Sequence, residues 1–560
     1  MIRGGTVVDG SGLASYRADV AVRDRRIASI GRVRERGREE IDAEGCVVTP
    51  GFIDGHTHMD AQVFWDPLGR SSCYHGITTV VMGNCGFTLA PASLEQQALV
   101  VRNLERAEDI SGAAMAQGIS WTWATFAEYL DAVERRPLGI NYAANIGHSA
   151  LRTFVMGERA FDGPASDDEL VAMERELRDA LHAGAIGFTT SRSDQHETSD
   201  DRPVASRLAS WDEVRHLVGV LGDLGTGIFQ KTNEPAAQSP DSGVRDEYFA
   251  RLRDLNLETG VPFTFAAGGS PTLAFIDETC AAGGRMFGLT HSRGVSVLTS
   301  FKTRLAFDVL PEWKEVRSRP LDEQARALRD PDVRKRLVWA AHHGDYGNPI
   351  GAEARRPDYD LMLVMERPVP PNQTVAEMAA ARGVDPVELV LDLALESGFD
   401  QFFMQPIGGA DPAALLNAMR HPRTVMTFSD SGAHVSQIAD CSIQTHLLAY
   451  WVRDREDFTL EEAVRMITLA PARAWGFADR GLLREGLVAD INVFDPATVG
   501  PAMPTLVHDL PGGARRLDQR ADGFRATVVA GEVLFRDGEH TGAVPGRLLR
   551  GPLATAARAA

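Results

Sequence analysis

Short hydrophobic runs broken by Gly, Asp and Pro open and close the chain. The first lie in GGTVVDGSG, ADVAVRDRRIASIGRV and GCVVTPGFIDGHTH, and the last lie in GLVADINVFDP and FRATVVAGEVLFRDGEH. β-Branched residues at this spacing, separated by turn formers, are typical of a small antiparallel sheet. Because both ends share this pattern, we expect them to form one small β domain.

Between these ends, from about residue 51 to residue 480, short apolar strand candidates alternate with longer helical stretches. This alternation is typical of repeated βα units around a parallel sheet. The strand candidates are GFIDGHTH, GITTVVMGNCG, GINYAANIGHS, GAIGFTTS, TGIFQKTN, VPFTFAAGG, RMFGLTHSR and RTVMTFSDSG, with QFFMQPI as a ninth contender. Helices are predicted in DDELVAMERELRDALHAG and TLEEAVRMITLAPARAWGF, among others. The pattern therefore predicts the α/β class and a (β/α)8 barrel.

Composition and charge exclude several classes of function. The 560 residues include 58 Lys and Arg against 77 Asp and Glu, a formal net charge of −19. No nucleic-acid partner is expected, because phosphate binding needs clustered cations. No membrane partner is expected either, since every apolar run is far shorter than the roughly 20 residues of a membrane-spanning helix. The opening MIRGGTVVDGSG lacks the apolar core of a signal peptide, which favours a cytoplasmic location.

Titratable and polar side chains gather at the carboxyl ends of the predicted strands, where barrels place their chemistry. They are His56, His58, Cys85, His148, Ser191, Arg192, Lys231, His291, Arg293 and Asp430, with His434 just after the last strand. The five cysteines are odd in number and irregularly spaced, which excludes a disulfide framework. Only Cys85, in GNCG, has neighbours that indicate a function.

His56 and His58 lie two residues apart on a predicted strand, so both imidazoles point to the same side. Imidazole, thiolate and carboxylate are the ligands of catalytic zinc. Asp430 can serve both as a ligand and as the proton acceptor. Three structural alternatives stay open here: histidines satisfied by the backbone, a helix N-cap at Asp430, and a buried structural thiol at Cys85.

The segments PGFIDGHTH, GITTVVMGNCGFTLAP, NIGHSALR, GAIGFTTS and FSDSGAH, in this order, resemble the amidohydrolase superfamily. The nearest resemblance is to the N-acyl-D-amino-acid deacylase (D-aminoacylase) group, and it covers nearly the whole chain. It implies a distorted (β/α)8 TIM-like barrel over 51–480, with an insert at about 87–137. It also implies a small β-sandwich domain from 1–50 and 481–545, one or two divalent metal ions, zinc above all, and hydrolysis of an amide.

In these deacylases an HxH pair, the cysteine of NCG, two later histidines and the aspartate of the last strand surround the metal. Four residues match this set: His56, His58, Cys85 and Asp430. The two later histidines are missing, and their places are taken by Gln230 or Lys231 and by Ala266 or Ala267.

Three residues are candidates to complete the metal site: Lys231, His291 and His148. Lys231 could be a ligand after carboxylation of its amine, as in several amidohydrolases; unmodified, it is a cation directed at the substrate or at Asp430. His291 offers a neutral imidazole at the seventh strand. His148 matches a deacylase histidine that need not touch the metal.

An acylated amino acid carries a carboxylate, which a guanidinium can bind with two hydrogen bonds. The candidate substrate-binding residues are His148, Arg152, Ser191, Arg192, Arg293 and His434. Each arginine could instead pair with a neighbouring acid. The polar loop 191–203 is predicted to be a flap over the site.

These residues predict hydrolysis of an N-acyl amino acid or a related small amide, with Asp430 as general base and then general acid. Ring opening of a cyclic amide or lactone is one alternative, and a catalytically silent scaffold is another. The predicted partner is a small-molecule amide, and assembly into a homo-oligomer stays open.

Overall fold

The computed structural model describes residues 1–559, with side chains described as far as residue 555. Both ends of the chain contribute to one nine-stranded sheet. Its strands are Ile2–Val7, Tyr16–Arg23, Arg26–Gly31, Ile41–Asp42, Val47–Pro50, Ile491–Phe494, Phe524–Val529, Glu532–Arg536 and Glu539–His540. The two ends meet where Val47–Pro50 pairs antiparallel with Ile491–Phe494. Alternate residues such as Val20, Val48 and Val493 form a core under this sheet, which is the arrangement expected of strands with one buried face.

Eight parallel segments form the centre of the molecule. In chain order they are Phe52–Asp54 with His56–Thr57, Ile77–Met82, Asn141–Ala144 with Ile146–Gly147, Gly187–Thr190, Ile228–Lys231, Phe263–Ala266, Met286–Thr290, and Thr424–Met426 with Phe428–Ser431. Each pairs in parallel with the next. The last pairs with the first through Phe428 and His56. All eight fall within the eight strand candidates of the sequence, and the α/β class is confirmed.

Helices connect these segments and cover them. They are Gln97–Glu105, Gly112–Gly118, Phe126–Glu134, His148–Met156, Asp167–Ala183, Trp211–Leu224, Ser242–Thr259, Ser270–Ala281, Pro311–Arg317, Leu321–Ala327, Pro331–His343, Val375–Arg382, Pro386–Glu396, Pro412–Arg420, Ile443–His446, Leu460–Ile467, Leu469–Ala474 and Pro552–Ala559, with a π-helix at Leu447–Asp454. The helix predicted in TLEEAVRMITLAPARAWGF is interrupted at Thr468, because Pro471 has no N–H to donate to the carbonyl of Ile467. None of the helices within residues 1–559 is long and apolar enough to cross a bilayer.

Two long insertions leave the parallel series. The predicted one, at about 87–137, contains three of the helices. The other lies between Met286–Thr290 and Thr424–Met426, and the sequence patterns missed it. It has its own core, which includes Trp313 and Leu337, and its own sheet of Val295–Thr299, Leu363–Val364 and Phe403–Gly408. The ninth strand contender, QFFMQPI, lies in this sheet and pairs antiparallel, so it does not join the parallel series.

Short strands complete the chain. The pairs are Gly500–Pro501 with Ala521–Asp522 and Thr505–Leu510 with Ala514–Asp518. Leu548–Leu549 adds in parallel to Asn141–Ala144.

Candidate metal centre

The two histidines of the HTH motif leave the first parallel segment side by side. Thr57 between them points the other way and donates a hydrogen bond to the carbonyl of Val81 on the next strand. His56 and His58 are 2% and 1% exposed, and their ring centres lie 5.4 Å apart. The period of two that the sequence predicted therefore places both imidazoles on one buried face.

A tight turn after the second segment brings Cys85 to these histidines. Gly83 and Cys85 both have positive φ angles, and a Cβ at Gly83 would lie 2.4 Å from the carbonyl oxygen of Asn145. The Sγ atom of Cys85 lies 3.4 Å from Nε2 of His56. Burial raises the pKa of the Cys85 thiol to about 12. A thiol with this pKa loses its proton when a cation binds beside it.

Asp430 reaches the same point from the last parallel segment. Its Oδ1 atom lies 3.1 Å from Nε2 of His56 and 3.3 Å from Nε2 of His58. Neither Asp430 Oδ1 nor His58 Nε2 makes a hydrogen bond, although both atoms are buried. Asp430 lies inside the strand Phe428–Ser431 and caps no helix.

The separations among these atoms suit a shared metal ion. Two atoms that are each about 2.1 Å from one tetrahedral ion lie about 3.4 Å apart. The observed distances are 3.1, 3.3 and 3.4 Å. One ligand atom each from His56, His58 and Cys85 lies within 4.8 Å of the other two. The donor set and the hydrogen-bond vacancies of His58 and Asp430 therefore fit a divalent metal.

A carboxylate that the sequence reasoning missed faces this group. Glu108, 2% exposed, comes from the 87–137 insert. Its Oε2 atom lies 3.5 Å from Nε2 of His58 and 3.8 Å from Nε2 of His434. Burial raises the pKa of Glu108 to about 8, against the opposing effect of His58. No sequence signal identified Glu108, because it follows a helix of an insert instead of ending a strand.

The charges at this point favour a cation. Burial lowers the pKa of His58, but Glu108, Asp430 and Cys85 together raise it well above its ordinary value. Conversely, burial raises the pKa of Asp430, but His56 and His58 hold it well below its usual range. The acidic groups thus stabilise positive charge among them, which is what a divalent metal supplies.

A cavity of about 530 Å³ opens onto the cluster, a volume within the usual range for small-molecule sites. Ser193–His196, from the predicted flap, and His434 line it. Ser191, predicted to bind substrate, is buried behind the flap, where its Oγ atom lies 2.7 Å from Nδ1 of His196. Part of the loop 191–203 therefore borders the cavity, whereas the buried Ser191 contacts His196 of this loop.

The structure does not bring His148 and Arg152, two of the predicted substrate-binding residues, to the lining of this cavity. Both side chains are fully buried and share Glu213. Nε2 of His148 lies 2.9 Å from the Glu213 carboxylate. Burial raises the pKa of Glu213, but His148 and Arg152 hold it at about 2. The buried carboxylate takes the hydrogen bonds that a substrate was expected to receive.

His291, predicted to bind the metal, and Arg293, predicted to bind substrate, both lie beside Asp440. Nε2 of His291 lies 3.2 Å from the carboxylate of Asp440, and Nη2 of Arg293 lies 2.7 Å from it. Asp440 is 3% exposed and follows the last parallel segment. It pairs with both side chains, and His291 is not in the group formed by His56, His58 and Cys85.

The remaining two candidates, Arg192 and Lys231, differ in their surroundings. Arg192 forms an ion pair with Glu234 at 3.3 Å. This is the pairing with a neighbouring acid that the sequence analysis gave as the alternative to substrate binding. Lys231 lines the cavity, and its Nζ donates a hydrogen bond to the hydroxyl of Tyr248. The Nζ atom also lies 5.1 and 5.3 Å from the ring centres of Tyr248 and Phe265. Burial lowers the pKa of Lys231 to about 8. Lys231 is therefore a cation of the cavity wall, held beside Tyr248 and Phe265.

Comparison with known proteins identifies the family of the chain. The sequence profile of the amidohydrolase family matches residues 39–278 and 325–535. The chain belongs to this family.

Its relatives include N-acyl-D-glutamate deacylase of Alcaligenes xylosoxydans xylosoxydans, 30% identical over 97% of this chain and 98% of the relative. Two crystal structures are also similar, each with a TM-score of 0.64 and 26% identity. One is N-acyl-D-glutamate deacylase from Bordetella bronchiseptica with zinc and a phosphonate inhibitor, covering 98% of both chains. The other is a D-aminoacylase described with a binuclear metal centre, covering 98% of this chain and 99% of that one. The predicted resemblance to the deacylase group is confirmed, and the metals of these two structures agree with the predicted divalent-metal cofactor.

Proposed function

We propose that the protein hydrolyses the amide bond of an N-acyl amino acid or a related small amide in a metal-dependent reaction. The observation that carries this proposal is the convergence of His56, His58, Cys85 and Asp430 at one end of a 530 Å³ cavity. These four residues would hold the metal. When bound, a divalent metal lowers the pKa of water and stabilises negative charge on a carbonyl oxygen.

Asp430 supplies the proton transfers. Its carboxylate accepts a proton from the attacking water while the carbon–oxygen bond forms. It then delivers that proton to the departing nitrogen while the carbon–nitrogen bond breaks. The low pKa of Asp430 keeps its carboxylate ionised before the reaction.

Lys231 is the proposed contact for the carboxylate of the substrate, in place of the three arginines. It lines the cavity close to the metal ligands, and its hydrogen-bond partner is the neutral hydroxyl of Tyr248. Arg152, Arg192 and Arg293 are already paired with acids. Because ring-opening relatives use a carboxylated lysine between two metals, the position of Lys231 beside Tyr248 supports the linear amide over the cyclic one.

The same proposal includes the domain organisation. A distorted (β/α)8 barrel over 51–480 is supported by the pairing of the last parallel segment with the first. A small β-sandwich domain from 1–50 and 481–545 is supported by the sheet that both ends share. The barrel carries two inserts, at about 87–137 and between Thr290 and Thr424.

Elemental analysis of the purified protein, followed by assays with N-acetyl-D-amino acids and their L enantiomers, tests this function. We expect at least one divalent metal per chain and hydrolysis of one enantiomeric series. Asp430→Asn should lower kcat by about 10²–10⁴ at saturating metal. Asp212→Asn, at an exposed helix residue, is the control and should leave kcat unchanged. Near-normal kcat in Asp430→Asn would refute the mechanism, and a metal-free, inactive protein would favour the silent scaffold.

A further inference from the structure

We propose that Glu108 is itself a ligand of the metal, so that the 87–137 insert completes the centre. This inference rests on the proposed metal-dependent function. It assigns to the insert a role that none of the motifs at the strand ends indicates. Two histidines of the deacylase pattern are missing here, and Glu108 supplies a donor that this pattern does not contain.

Distance and burial both support Glu108 as a ligand. Its Oε2 atom lies 3.5 Å from Nε2 of His58, close to the separation of about 3.4 Å expected for two ligands of one tetrahedral ion. Its Oε1 atom is buried and makes no hydrogen bond. Within residues 1–555 its ion-pair partners are the imidazoles of His58 and His434, and no Lys or Arg pairs with it. Burial without a hydrogen bond is costly for a carboxylate, and a metal ion shared with His58 would supply a positive charge beside it.

The neighbours of Glu108 in sequence hold its side chain towards the cavity. On one side, Arg106 forms ion pairs with Glu353 at 2.7 Å and with Glu197 at 2.9 Å. On the other side, Asp109 accepts a hydrogen bond from Gln437 at 2.8 Å. The backbone carbonyl of Glu108 accepts a hydrogen bond from the backbone N–H of His434 at 2.7 Å. Anchors on both sides fix the turn, and the carboxylate between them faces His58.

Two metal-binding measurements test this assignment on the full-length protein. Zinc affinity is determined in chelator-buffered zinc for the wild type, Glu108→Gln, Glu108→His and Glu95→Gln. Glu95 belongs to the same insert, is exposed and forms no ion pair, so Glu95→Gln removes the same charge at a distance from the site. The visible absorption of the cobalt(II)-loaded proteins is recorded in parallel, because its ligand-field bands report the donor atoms.

We expect Glu108→Gln to weaken zinc binding by at least about 100-fold, the upper end of the loss caused by an outer-shell change. Its ligand-field bands should shift, while the thiolate-to-cobalt charge-transfer band from Cys85 should persist. Glu108→His should restore affinity to within about tenfold, because imidazole is also a metal donor. Glu95→Gln should match the wild type in both measurements.

Unchanged ligand-field bands in a folded Glu108→Gln protein would overturn the assignment, whatever its zinc affinity. If Glu108→Gln does not fold, Glu108→His decides: wild-type ligand-field bands in that variant would overturn the assignment. A wild type that binds metal but cleaves no N-acyl amino acid contradicts the proposed substrate and leaves this test of Glu108 intact.

Discussion

The side-chain oxygen of Gln230 accepts a hydrogen bond from the backbone N–H of Cys85 at 2.9 Å. Gln230 is one of the two residues, with Lys231, in the place of a later histidine of the deacylase pattern, and it is 4% exposed near the end of the segment Ile228–Lys231. The amide thus holds the turn that carries the Cys85 thiol, and it adds no strong metal donor of its own. Ala266, near the place of the other missing histidine, lines the same cavity with no donor in its side chain.

Restoring both histidines should create a second metal site. We expect Gln230→His/Ala266→His to bind one more metal ion per chain than the wild type, because two imidazoles would then face the thiolate of Cys85. Elemental analysis after dialysis measures the stoichiometry. Ala266→His alone is the matched control and should keep the wild-type value. A double variant with wild-type stoichiometry would contradict this reading of the lost ligands.

The charge of Lys231 should control binding of an anionic substrate. Burial lowers the pKa of Lys231 to about 8, so the side chain is charged below that pH and neutral above it. KM for an N-acyl amino acid should therefore rise as the pH increases through about 8, and Lys231→Met should show a KM about tenfold higher at pH 7 with no such rise. KM for the corresponding methyl ester, which carries no carboxylate, should hardly change with either the pH or the Lys231→Met substitution.

Lys335→Met is the control for this prediction, since Lys335 is an exposed lysine of the helix Pro331–His343. It should keep the wild-type KM and its pH profile. Equal losses for the carboxylate and the ester in Lys231→Met would show that Lys231 does not recognise the charge.

Glu213→Gln should lower the free energy of unfolding by about 3 kcal/mol near pH 7, because it leaves the buried guanidinium of Arg152 without its counter-charge. Denaturation by urea measures this difference. The folded-state pKa of Glu213, about 2, lies below its ordinary value. The stabilisation is therefore complete above about pH 4.5 and is lost as the pH falls towards 2.

Asp212→Asn, at the exposed neighbouring position in the same helix, should change stability by less than about 1 kcal/mol. If the difference in the free energy of unfolding between Glu213→Gln and the wild type stays constant from pH 7 to pH 3, the low pKa of Glu213 does not contribute to stability in the expected way.

Gly83→Ala should weaken both stability and metal binding. Gly83 has a φ of +80°, and a Cβ there would meet the carbonyl oxygen of Asn145 at 2.4 Å. The cost is at least about 2 kcal/mol, from the left-handed backbone and the overlap together. Because the turn must shift, Cys85 would move away from His56 and zinc affinity should fall. Thermal unfolding and zinc titration measure the two effects.

Gly163→Ala is the matched control, since a Cβ at Gly163 meets no atom within 4 Å. It should retain wild-type stability and zinc affinity. Normal zinc affinity in Gly83→Ala would show that the turn does not position the thiol.

The sequence by itself determined the parallel segments and four of the converging side chains. Apolar runs that end in polar residues specify both a strand and its carboxyl end, so His56, His58, Cys85 and Asp430 could be placed at one edge without coordinates. The same logic did not reveal the second insertion or the antiparallel strand in QFFMQPI, because a short apolar run does not specify its pairing partner.

Only the tertiary structure decided which polar groups pair with one another. Asp440 pairs with His291 and Arg293, and Glu213 pairs with His148 and Arg152. Glu108 reaches His58 from an insert. Local patterns determine the face on which a side chain lies, whereas a buried charge takes the partner that packing brings within hydrogen-bond distance. The sequence therefore predicted which polar residues end the strands, and long-range packing determined which acidic residues pair with them.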